Sequence, residues 1–393
     1  MIVSTRTDPL DRNMATLLIL GAAHSLNHSL FLVVPPLLNL ITRDLNATFQ
    51  TMGLVITLTY LIYGAGALIG GPLSDKIGPV KVSAISIGLA GASALIFILA
   101  KDLTIFSIGM FIMALWASFY HPTSNNLIAG AFTSNTAEAM GIHGAAGSVG
   151  QIFTPTVAFL LGFFIDWRLA FVFFGVLSMV TAFLVRKIPE SKTPSRTESM
   201  EKTSPLAVFR VPFLWLLFLF NVFIGLYFRG VELFFPTFLS LNRGLSGELA
   251  AISNSIVLFF GVIGQYVGGK AADRYGSTKV VVTAAAGILA SMLILLAPLG
   301  IASIALFIVL FGLSYFGHQP AMTAIVGSVV PRNLSGTAFG VMFFFAFGLG
   351  SLSAAMAGYL ADIYDLTTSF WALTLFSMLT FIVSIAITRK FRK

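Results

Sequence analysis

Twelve long apolar runs, separated by short polar stretches, most constrain what this chain can fold into. Each run is near or above the roughly 20 residues that a helix needs to cross the hydrocarbon core of a bilayer. In chain order the runs are about 14–41, 50–71, 82–100, 104–128, 138–164, 168–186, 211–240, 249–269, 280–298, 301–329, 335–360 and 368–388. We predict an all-α membrane protein with twelve transmembrane spans, numbered here in that order. The first run is long and contains proline, so we interpret it as a retained span and not a cleaved signal peptide.

Composition excludes a water-soluble domain and narrows the possible partners. Hydrophobic residues make up 57% of the chain and charged residues 10%, against about 25% charged in an ordinary soluble domain. The formal net charge is +8, but the cations lie in short loops between apolar runs, so we predict a lipid bilayer as partner and no nucleic acid. The chain has no cysteine, which excludes disulfides and thiol catalysis.

A twelve-residue stretch occurs twice, at the same place in each half of the chain. Residues 70–81 read GGPLSDKIGPVK and residues 268–279 read GGKAADRYGSTK, an offset of 198 residues. A repeat at half the chain length predicts two pseudo-symmetric six-span halves, 1–186 and 211–393, joined by a polar cytoplasmic linker at 187–210. The repeated loop residues singled out are Gly71, Asp75, Lys76, Gly78, Lys81, Gly269, Asp273, Arg274, Gly276 and Lys279.

The distribution of cations predicts which side each loop faces. With both termini placed inside, 18 of the 23 Lys and Arg residues fall in inside segments and four in outside loops, while Arg229 alone lies within a span. Cytoplasmic loops of membrane proteins carry such an excess of cations. We therefore predict a multi-pass plasma-membrane protein with both termini in the cytoplasm.

Histidines and charges inside the predicted spans are costly in lipid, so their positions are informative. All five histidines fall within spans 1, 4, 5 and 10, and the clearly intramembrane charges, Arg229 and Glu232, both lie in span 7. Spans 3, 6, 9 and 12 contain none of these residues. This asymmetry predicts an aqueous cavity lined by selected spans. The candidate substrate or proton residues are His24, Asn27, His28, His121, Asn125, His143, Arg229, Glu232 and His318.

Two of these groups have a spacing that places them on one helix face. In span 1, His24, Asn27 and His28 share a face, which indicates either a stripe facing substrate and protons or a buried hydrogen-bonded cluster that joins helices. In span 7, Arg229 and Glu232 are three residues apart and can pair. That pair is either structural, or Arg229 attracts a phosphonate, phosphate or carboxylate through its planar fork while Glu232 titrates.

Other polar patterns give weaker indications. The prolines after His28, Pro35 and Pro36, are expected to weaken span 1 near its outer end. His121 and His318 are candidates for proton transfer or for fixed hydrogen bonds.

A histidine metal site would require helices to converge, and only the His24/His28 pair supports one, so no metal and no cofactor are predicted. The spans contain no serine–histidine or paired-aspartate constellation, so an enzyme is not expected.

Small residues recur in spans 5 and 11. Span 5 has a glycine every three residues, and span 11 has a similar run of small side chains. Small residues let helices approach closely in lipid, so both rows are predicted to be packing surfaces. They are Gly141, Gly144, Gly147 and Gly150 in span 5, and Gly348, Gly350, Ala354 and Gly358 in span 11.

The repeated loop resembles the signature of the major facilitator superfamily, G-x-L-x-D-[KR]-x-G-x-x-[KR], which lies between the second and third helices of each half. The second copy has Ala271 where the signature has Leu. The resemblance implies that spans 1, 4, 7 and 10 line a central cavity and that spans 3, 6, 9 and 12 are peripheral. His24 with Asn27, the run Tyr120-His121-Pro122 and the span 11 sequence FAFGLGSLSAAMAGYLAD are similar to the fosmidomycin-resistance type of drug exporter.

Two departures from proton antiporters accompany this resemblance. Span 4 lacks their typical arginine, and Gln151-Ile152 replaces the Gly-Pro pair of their fifth helix. The resemblance implies a secondary active transporter that works by alternating access, with proton-coupled export of a small drug-like or anionic compound. Uptake of an organic anion or metabolite by symport or facilitation is the alternative, and a non-transporting receptor is a third hypothesis. The predicted partners are a small-molecule substrate and protons, and the protein is expected to be a monomer.

Overall fold

The computed structural model describes residues 9–132, 136–189, 205–330 and 335–391. Within these ranges all regular secondary structure is helical. The α-helices are α1 Pro9–Leu32, α2 Val34–Asp44, α3 Phe49–Ile77, α4 Pro79–Ser93, α5 Leu103–Ala117, α6 Tyr120–Ala131, α7 Thr136–Leu161, α8 Trp167–Val185, α9 Pro212–Leu241, α10 Gly247–Tyr275, α11 Ser277–Leu296, α12 Ile301–Val329, α13 Ser335–Phe343, α14 Leu352–Ile363 and α15 Leu366–Phe391. Short 3-10 or π-helical turns lie at 94–99, 162–166, 205–210 and 344–351.

Eleven helical stretches in the described residues are long and apolar enough to cross a membrane. The difference from the predicted twelve lies at residues 142–185, a single helical stretch of 44 residues that covers most of the predicted spans 5 and 6. At 1.5 Å per residue it would extend about 66 Å, roughly twice the hydrocarbon thickness. It is interrupted by the π-helical turn Gly162–Asp166, and Asp166 has an extended backbone (φ −163°, ψ 135°).

The outer surface is suited to lipid, since large apolar side chains are exposed along it, such as Phe183 at 72% and Ile301 at 70%. The predicted weak point in span 1 is also present. α1 ends at Leu32, and α2 begins at Val34 with prolines in its first turn. Proline there lacks the N–H that would continue the hydrogen-bond ladder of α1.

Side-chain bonds fix the relative directions of the helices in the first half of the chain. Ser29 of α1 bonds Thr154 of α7 at 2.7 Å, and Gly21 lies against Ala146, so α1 and α7 run parallel. The Tyr63 hydroxyl of α3 donates to Asn27 of α1. Because Tyr60, earlier in α3, contacts Phe31, later in α1, these two helices run antiparallel.

Contacts that cross to the second half complete the arrangement. Thr156 bonds Ser255 and Ser148 bonds Gln265, so α10 runs antiparallel to α7. Thr388, near the end of α15, donates to the Thr278 carbonyl at the start of α11. The two repeated loops and both ends of the described chain therefore lie on one side of the molecule, called the signature side below; the other is the distal side.

The two repeated loops have the same backbone conformation. Gly78 ends α3 with φ 95° and ψ 139°, and Gly276 ends α10 with φ 96° and ψ 136°. Residues with a Cβ atom rarely adopt these backbone angles, which explains why glycine occupies both positions. Of the other repeated residues, Lys76, Lys81, Asp273, Arg274 and Lys279 are exposed, Gly71 and Gly269 are half-buried, and the side chain of Asp75 lies outside the described part.

The two halves of the chain meet most extensively along two helix pairs, α3 with α14 and α7 with α10. Glycines allow close approach there, as at Gly358 beside the Phe49 carbonyl and Gly53 beside the Ala354 carbonyl. In the small-residue rows the following glycines pack against neighbours as predicted: Gly147, Gly150, Gly348, Gly350 and Gly358. A Cβ at Gly144 would meet open space, and the surroundings of Gly141 lie outside the described part. Most of the predicted linker, residues 190–204, lies outside the described ranges, and its last part, Pro205–Arg210, forms a 3-10 turn.

Candidate functional site

A cavity of about 540 Å³ lies between the two halves of the chain. Helices α1, α3, α6 and α7 of the first half and α9, α10, α12 and α13 of the second half contribute to its wall. Both apolar and polar side chains line it. The polar lining residues are His24, His28, Tyr60, His121, Asn125, Ser148, Gln151, Asn221, Arg229, Glu232, Gln265, Tyr315, His318 and Gln319.

Seven of the nine residues proposed from the sequence line this cavity: His24, His28, His121, Asn125, Arg229, Glu232 and His318. Asn27 lies away from the cavity wall and is fully buried. Its amide donates to the Ala117 carbonyl at 2.9 Å and its oxygen accepts from the Tyr63 hydroxyl at 2.7 Å. Asn27 therefore joins α1, α3 and α5, because it is 60° around α1 from His24 and faces a different set of helices.

Arg229 and Glu232 form an ion pair in the cavity wall. Glu232 Oε2 accepts from Arg229 Nη1 and, at 3.3 Å, from the Tyr60 hydroxyl. The guanidinium carbon lies 4.3 Å from the centre of the Tyr60 ring and 4.2 Å from that of Phe347. The faces of aromatic rings attract a desolvated cation. The pairing expected from the i, i+3 spacing is present, and both residues face the cavity.

Arg229 has an N–H group that the ion pair does not use. Arg229 is 5% exposed, and its Nε has no hydrogen-bond partner among the described residues. Removing two charges from water carries a penalty of several kcal/mol per ion, which pairing only partly offsets. A planar guanidinium in a cavity wall, with an N–H that has no partner, can bind a carboxylate or phosphate in a bidentate manner.

Four histidines of the first half cluster on the opposite wall. The ring centre of His24 lies 5.0 Å from those of His28 and His121 and 4.5 Å from that of His143. His24 Nδ1 donates to the His143 carbonyl at 3.2 Å, and the Nε2 atoms of His24 and His28 are 3.2 Å apart. His143 itself is 3% exposed and lies behind His24, outside the cavity wall. The sequence placed these residues in three different spans and gave no reason to expect contact among all four.

His318 stands apart from that cluster. Its Nδ1 donates to the Tyr315 carbonyl, and its ring neighbours are Phe220 and Tyr315. The adjacent Gln319 accepts from Gln265 at 3.1 Å. His318 is thus held by its own helix, α12, and contributes to the wall of the second half.

Several cavity residues were missed in the sequence. Tyr60 contacts both members of the ion pair, and Asn221, Gln265 and Gln319 line the wall. Uncharged amides in the middle of apolar spans are a signal that could have identified the last three. Tyr60 carries no such signal, because tyrosine is common at many positions of membrane helices.

The cavity is closed on the distal side. There Asn39 donates to Ser240 at 3.2 Å, and Asp362 of α14 accepts from the backbone amides of Phe49 and Gln50. Towards the signature side, Asn125 lines the cavity and is exposed. Access from solvent is therefore from the signature side.

Comparison with known proteins gives a consistent result. The family model described as Major Facilitator Superfamily matches residues 17–355. The chain is 26% identical over 373 residues to the glycerol-3-phosphate transporter of Bacillus subtilis, covering 86% of this chain and 83% of that protein. It is 26% identical over 357 residues to the probable sulfoacetate transporter SauU of Cupriavidus necator, covering 82% and 81%. The crystal structure of the nucleoside transporter NupG superposes with a TM-score of 0.82 at 15% identity, covering 96% of this chain and 99% of that one.

Proposed function

The chain belongs to the Major Facilitator Superfamily, and from this premise we propose that it carries a small organic anion across the membrane together with a proton. The anion would bind at Arg229 in the central cavity. The observation that carries this proposal is the position of Arg229 in the cavity wall, where its guanidinium lies against the rings of Tyr60 and Phe347 and its buried Nε has no hydrogen-bond partner among the described residues. The names of two relatives support the same substrate class, since glycerol 3-phosphate and sulfoacetate are both small organic anions.

The ion pair suggests how the anion and the proton are coupled. Arg229 carries one positive charge and is neutralised by Glu232. An incoming carboxylate or phosphate would compete with Glu232 for the guanidinium. A displaced carboxylate in a partly desolvated wall favours its protonated form. Anion and proton would then be bound at the same time and move in the same direction, which is symport.

Export by antiport requires the opposite coupling, in which substrate binding releases a proton. It is the direction implied by the resemblance to fosmidomycin-resistance exporters, and it remains the competing prediction. The absence of a cation in the described span 4 residues, 103–128, removes the group that antiporters of the superfamily typically place there. This absence, together with the proposed displacement of Glu232 from Arg229 by the substrate, favours symport of an anion.

The proposed architecture has twelve spans in two six-span halves, residues 1–186 and 211–393. In it, the 44-residue stretch is two spans that separate near Asp166. The halves would rock about the cavity so that access alternates. With both termini and both repeated loops in the cytoplasm of the cell, the state described above is open to the inside, and the repeated loops would close the signature side in the other state.

The experiment that tests the proposal measures the sign of proton movement. The purified protein is placed in liposomes that contain a pH-sensitive dye, and an inward gradient of glycerol 3-phosphate, sulfoacetate or fosmidomycin is applied. Symport predicts that an anion acidifies the liposome interior. Alkalinisation would establish antiport, and no proton or anion movement with any compound would remove the support for an anion transporter.

Two variants assign the roles of the pair. Glu232→Gln should still exchange labelled anion between the two sides but move no protons. Arg229→Ala should abolish both, whereas Arg229→Lys should retain weakened anion exchange because it keeps the charge and loses the bidentate fork. Asp365→Asn changes a carboxylate that is exposed and does not line the cavity. It serves as the matched control and should keep proton coupling.

A further inference from the structure

The histidine cluster on the first-half wall has a second use that the anion site does not require. His24, His28 and His121 each present a ring nitrogen to the same small volume, and these three nitrogens lie within 4.8 Å of one another. Each of the three residues is partly accessible from the cavity. We propose that they form a binding site for one borderline transition-metal cation, of the class of Zn²⁺, Co²⁺ or Ni²⁺.

The spacing of two of the nitrogens already suits a metal. Zinc binds histidine nitrogen at about 2.0–2.1 Å in tetrahedral geometry, which places two ligand atoms roughly 3.3–3.4 Å apart. The Nε2 atoms of His24 and His28 are 3.2 Å apart. They stand one helical turn apart on α1, so their Cα positions are fixed by the helix and only the side-chain rotamers need adjust.

The tautomer of His24 is set for coordination. A carbonyl oxygen only accepts, so in the bond to the His143 carbonyl the proton is on His24 Nδ1. The neutral ring then has its lone pair on Nε2, the atom that faces His28. Metal-binding histidines typically donate their other N–H to a carbonyl or carboxylate in this way, which orients the ring.

His121 supplies the third nitrogen from a different helix. It lies in the first turn of α6, with its ring centre 5.0 Å from that of His24 and 5.1 Å from that of His28. Its Nε2 is buried and has no hydrogen-bond partner among the described residues. A buried polar nitrogen without a hydrogen-bond partner is unusual in a folded protein. A cation bound by all three rings would satisfy it and would leave one coordination position open to the cavity.

The ligand types select the class of ion. Three imidazoles suit Zn²⁺, Co²⁺, Ni²⁺ and Cu²⁺, whereas Mg²⁺ and Ca²⁺ require oxygen ligands. The charged groups in the cavity wall, Arg229 and Glu232, pair with each other, so they leave little net charge to repel a cation. No metal site is predicted from the sequence, because only His24 and His28 are near each other along the chain.

The test measures metal binding directly, without transport, so it can fail independently of the proposed anion symport. The full chain is purified with its affinity tag removed, because a polyhistidine tag binds the same ions. Zn²⁺ is titrated by calorimetry, and Co²⁺ is followed by its visible absorption, which reports tetrahedral nitrogen coordination. We expect one ion per chain and no competition from Mg²⁺ or Ca²⁺.

Variants locate the site. His28→Gln and His121→Gln should each weaken Zn²⁺ binding by at least about tenfold, the range seen even for loss of outer-shell partners. His318→Gln should leave the affinity unchanged, because His318 lies in the same cavity but outside the cluster. Equal losses in all three variants, or a wild-type protein that does not bind Zn²⁺, would overturn the proposal.

A second measurement guards against variants that are merely unstable. A ligand that binds only the folded state raises the unfolding temperature in a concentration-dependent way. Zn²⁺ should therefore raise the unfolding temperature of wild type and His318→Gln, but not that of His28→Gln or His121→Gln, whatever the starting stability of each. A zinc-dependent rise in all four proteins would place the ion elsewhere.

Discussion

Asp362 and Gln50 are joined by a 2.7 Å hydrogen bond between residues 312 positions apart in the chain. The other carboxylate oxygen accepts from the backbone amide of Phe49 at 3.1 Å. The start of α3 is thus capped twice, by its own Thr48 and by a carboxylate from the other half of the chain. An anion at a helix N-terminus is favourable because the first amides are otherwise unpaired and carry the positive end of the helix dipole.

We predict that Asp362→Ala loosens the distal side of the cavity. A cap of this kind contributes about 1 kcal/mol, roughly fivefold in an opening equilibrium. Hydrogen–deuterium exchange should become faster at the Phe49 and Gln50 amides and at the facing residues of α14. The control is Asp365→Ala. Asp365 is an equally exposed carboxylate that caps α15 through Thr368, a bond that lowers the pKa of Asp365, and its loss should affect only the start of α15.

Anion binding should strengthen as the pH falls in the wild type, and this dependence should disappear in Glu232→Gln. Protonation of Glu232 removes the negative charge that neutralises Arg229, so the guanidinium becomes available to the substrate. Glutamine mimics the protonated state at every pH and should bind the anion tightly throughout. The measurement is the dissociation constant as a function of pH by calorimetry. Weaker binding at low pH in the wild type would contradict this account and favour antiport.

Gly147→Ala is expected to displace His24. A methyl group at position 147 would overlap the His24 imidazole, whereas one at Gly144 on the same helix would meet open space. Gly147→Ala should therefore weaken Zn²⁺ binding, and Gly144→Ala should leave it unchanged. Calorimetric titration of both variants checks this, and equal behaviour of the two would show that α1 and α7 can separate without disturbing the histidines.

Within the repeated loop, two glycines should respond in opposite ways to alanine. Gly78→Ala forces a side chain into a backbone region with φ 95° and should destabilise the protein by about 1–3 kcal/mol. Gly71 is helical, and a Cβ there meets nothing within 4 Å, so Gly71→Ala should be neutral or stabilising by about 0.5–1 kcal/mol. Thermal unfolding in detergent measures both, and a stabilised Gly78→Ala variant would contradict the strain argument.

Asn27→Ala should reduce stability without changing substrate affinity. The substitution leaves the buried Tyr63 hydroxyl and Ala117 carbonyl without their partner, which costs about 1–3 kcal/mol for an unsatisfied buried group. The unfolding temperature should fall while the dissociation constant of the anion stays the same. A large loss of affinity in a normally stable variant would return Asn27 to the list of cavity residues.

Much of the fold could be predicted from the sequence because hydropathy and length are local properties. The predicted apolar runs coincide closely with the helices, and the break before Pro35 was foreseen from proline chemistry alone. At the predicted boundary between spans 5 and 6 the structure has a π-helical turn, Gly162–Asp166, and an extended backbone at Asp166, within one stretch of 44 residues. Hydropathy does not distinguish such a π-helical turn from a loop.

What the sequence by itself determined is which residues are costly in a membrane and which loop positions require glycine. The tertiary structure alone decided which of those residues meet. Asn27 and His28 are neighbours in the chain, but one joins helices in the interior and the other faces the cavity, because each residue turns the helix by about 100°. His121 reaches His24, and Asp362 reaches Gln50, only through the packing of helices far apart in sequence. Such contacts depend on the rotation and pairing of whole helices, and no local pattern in the chain encodes them.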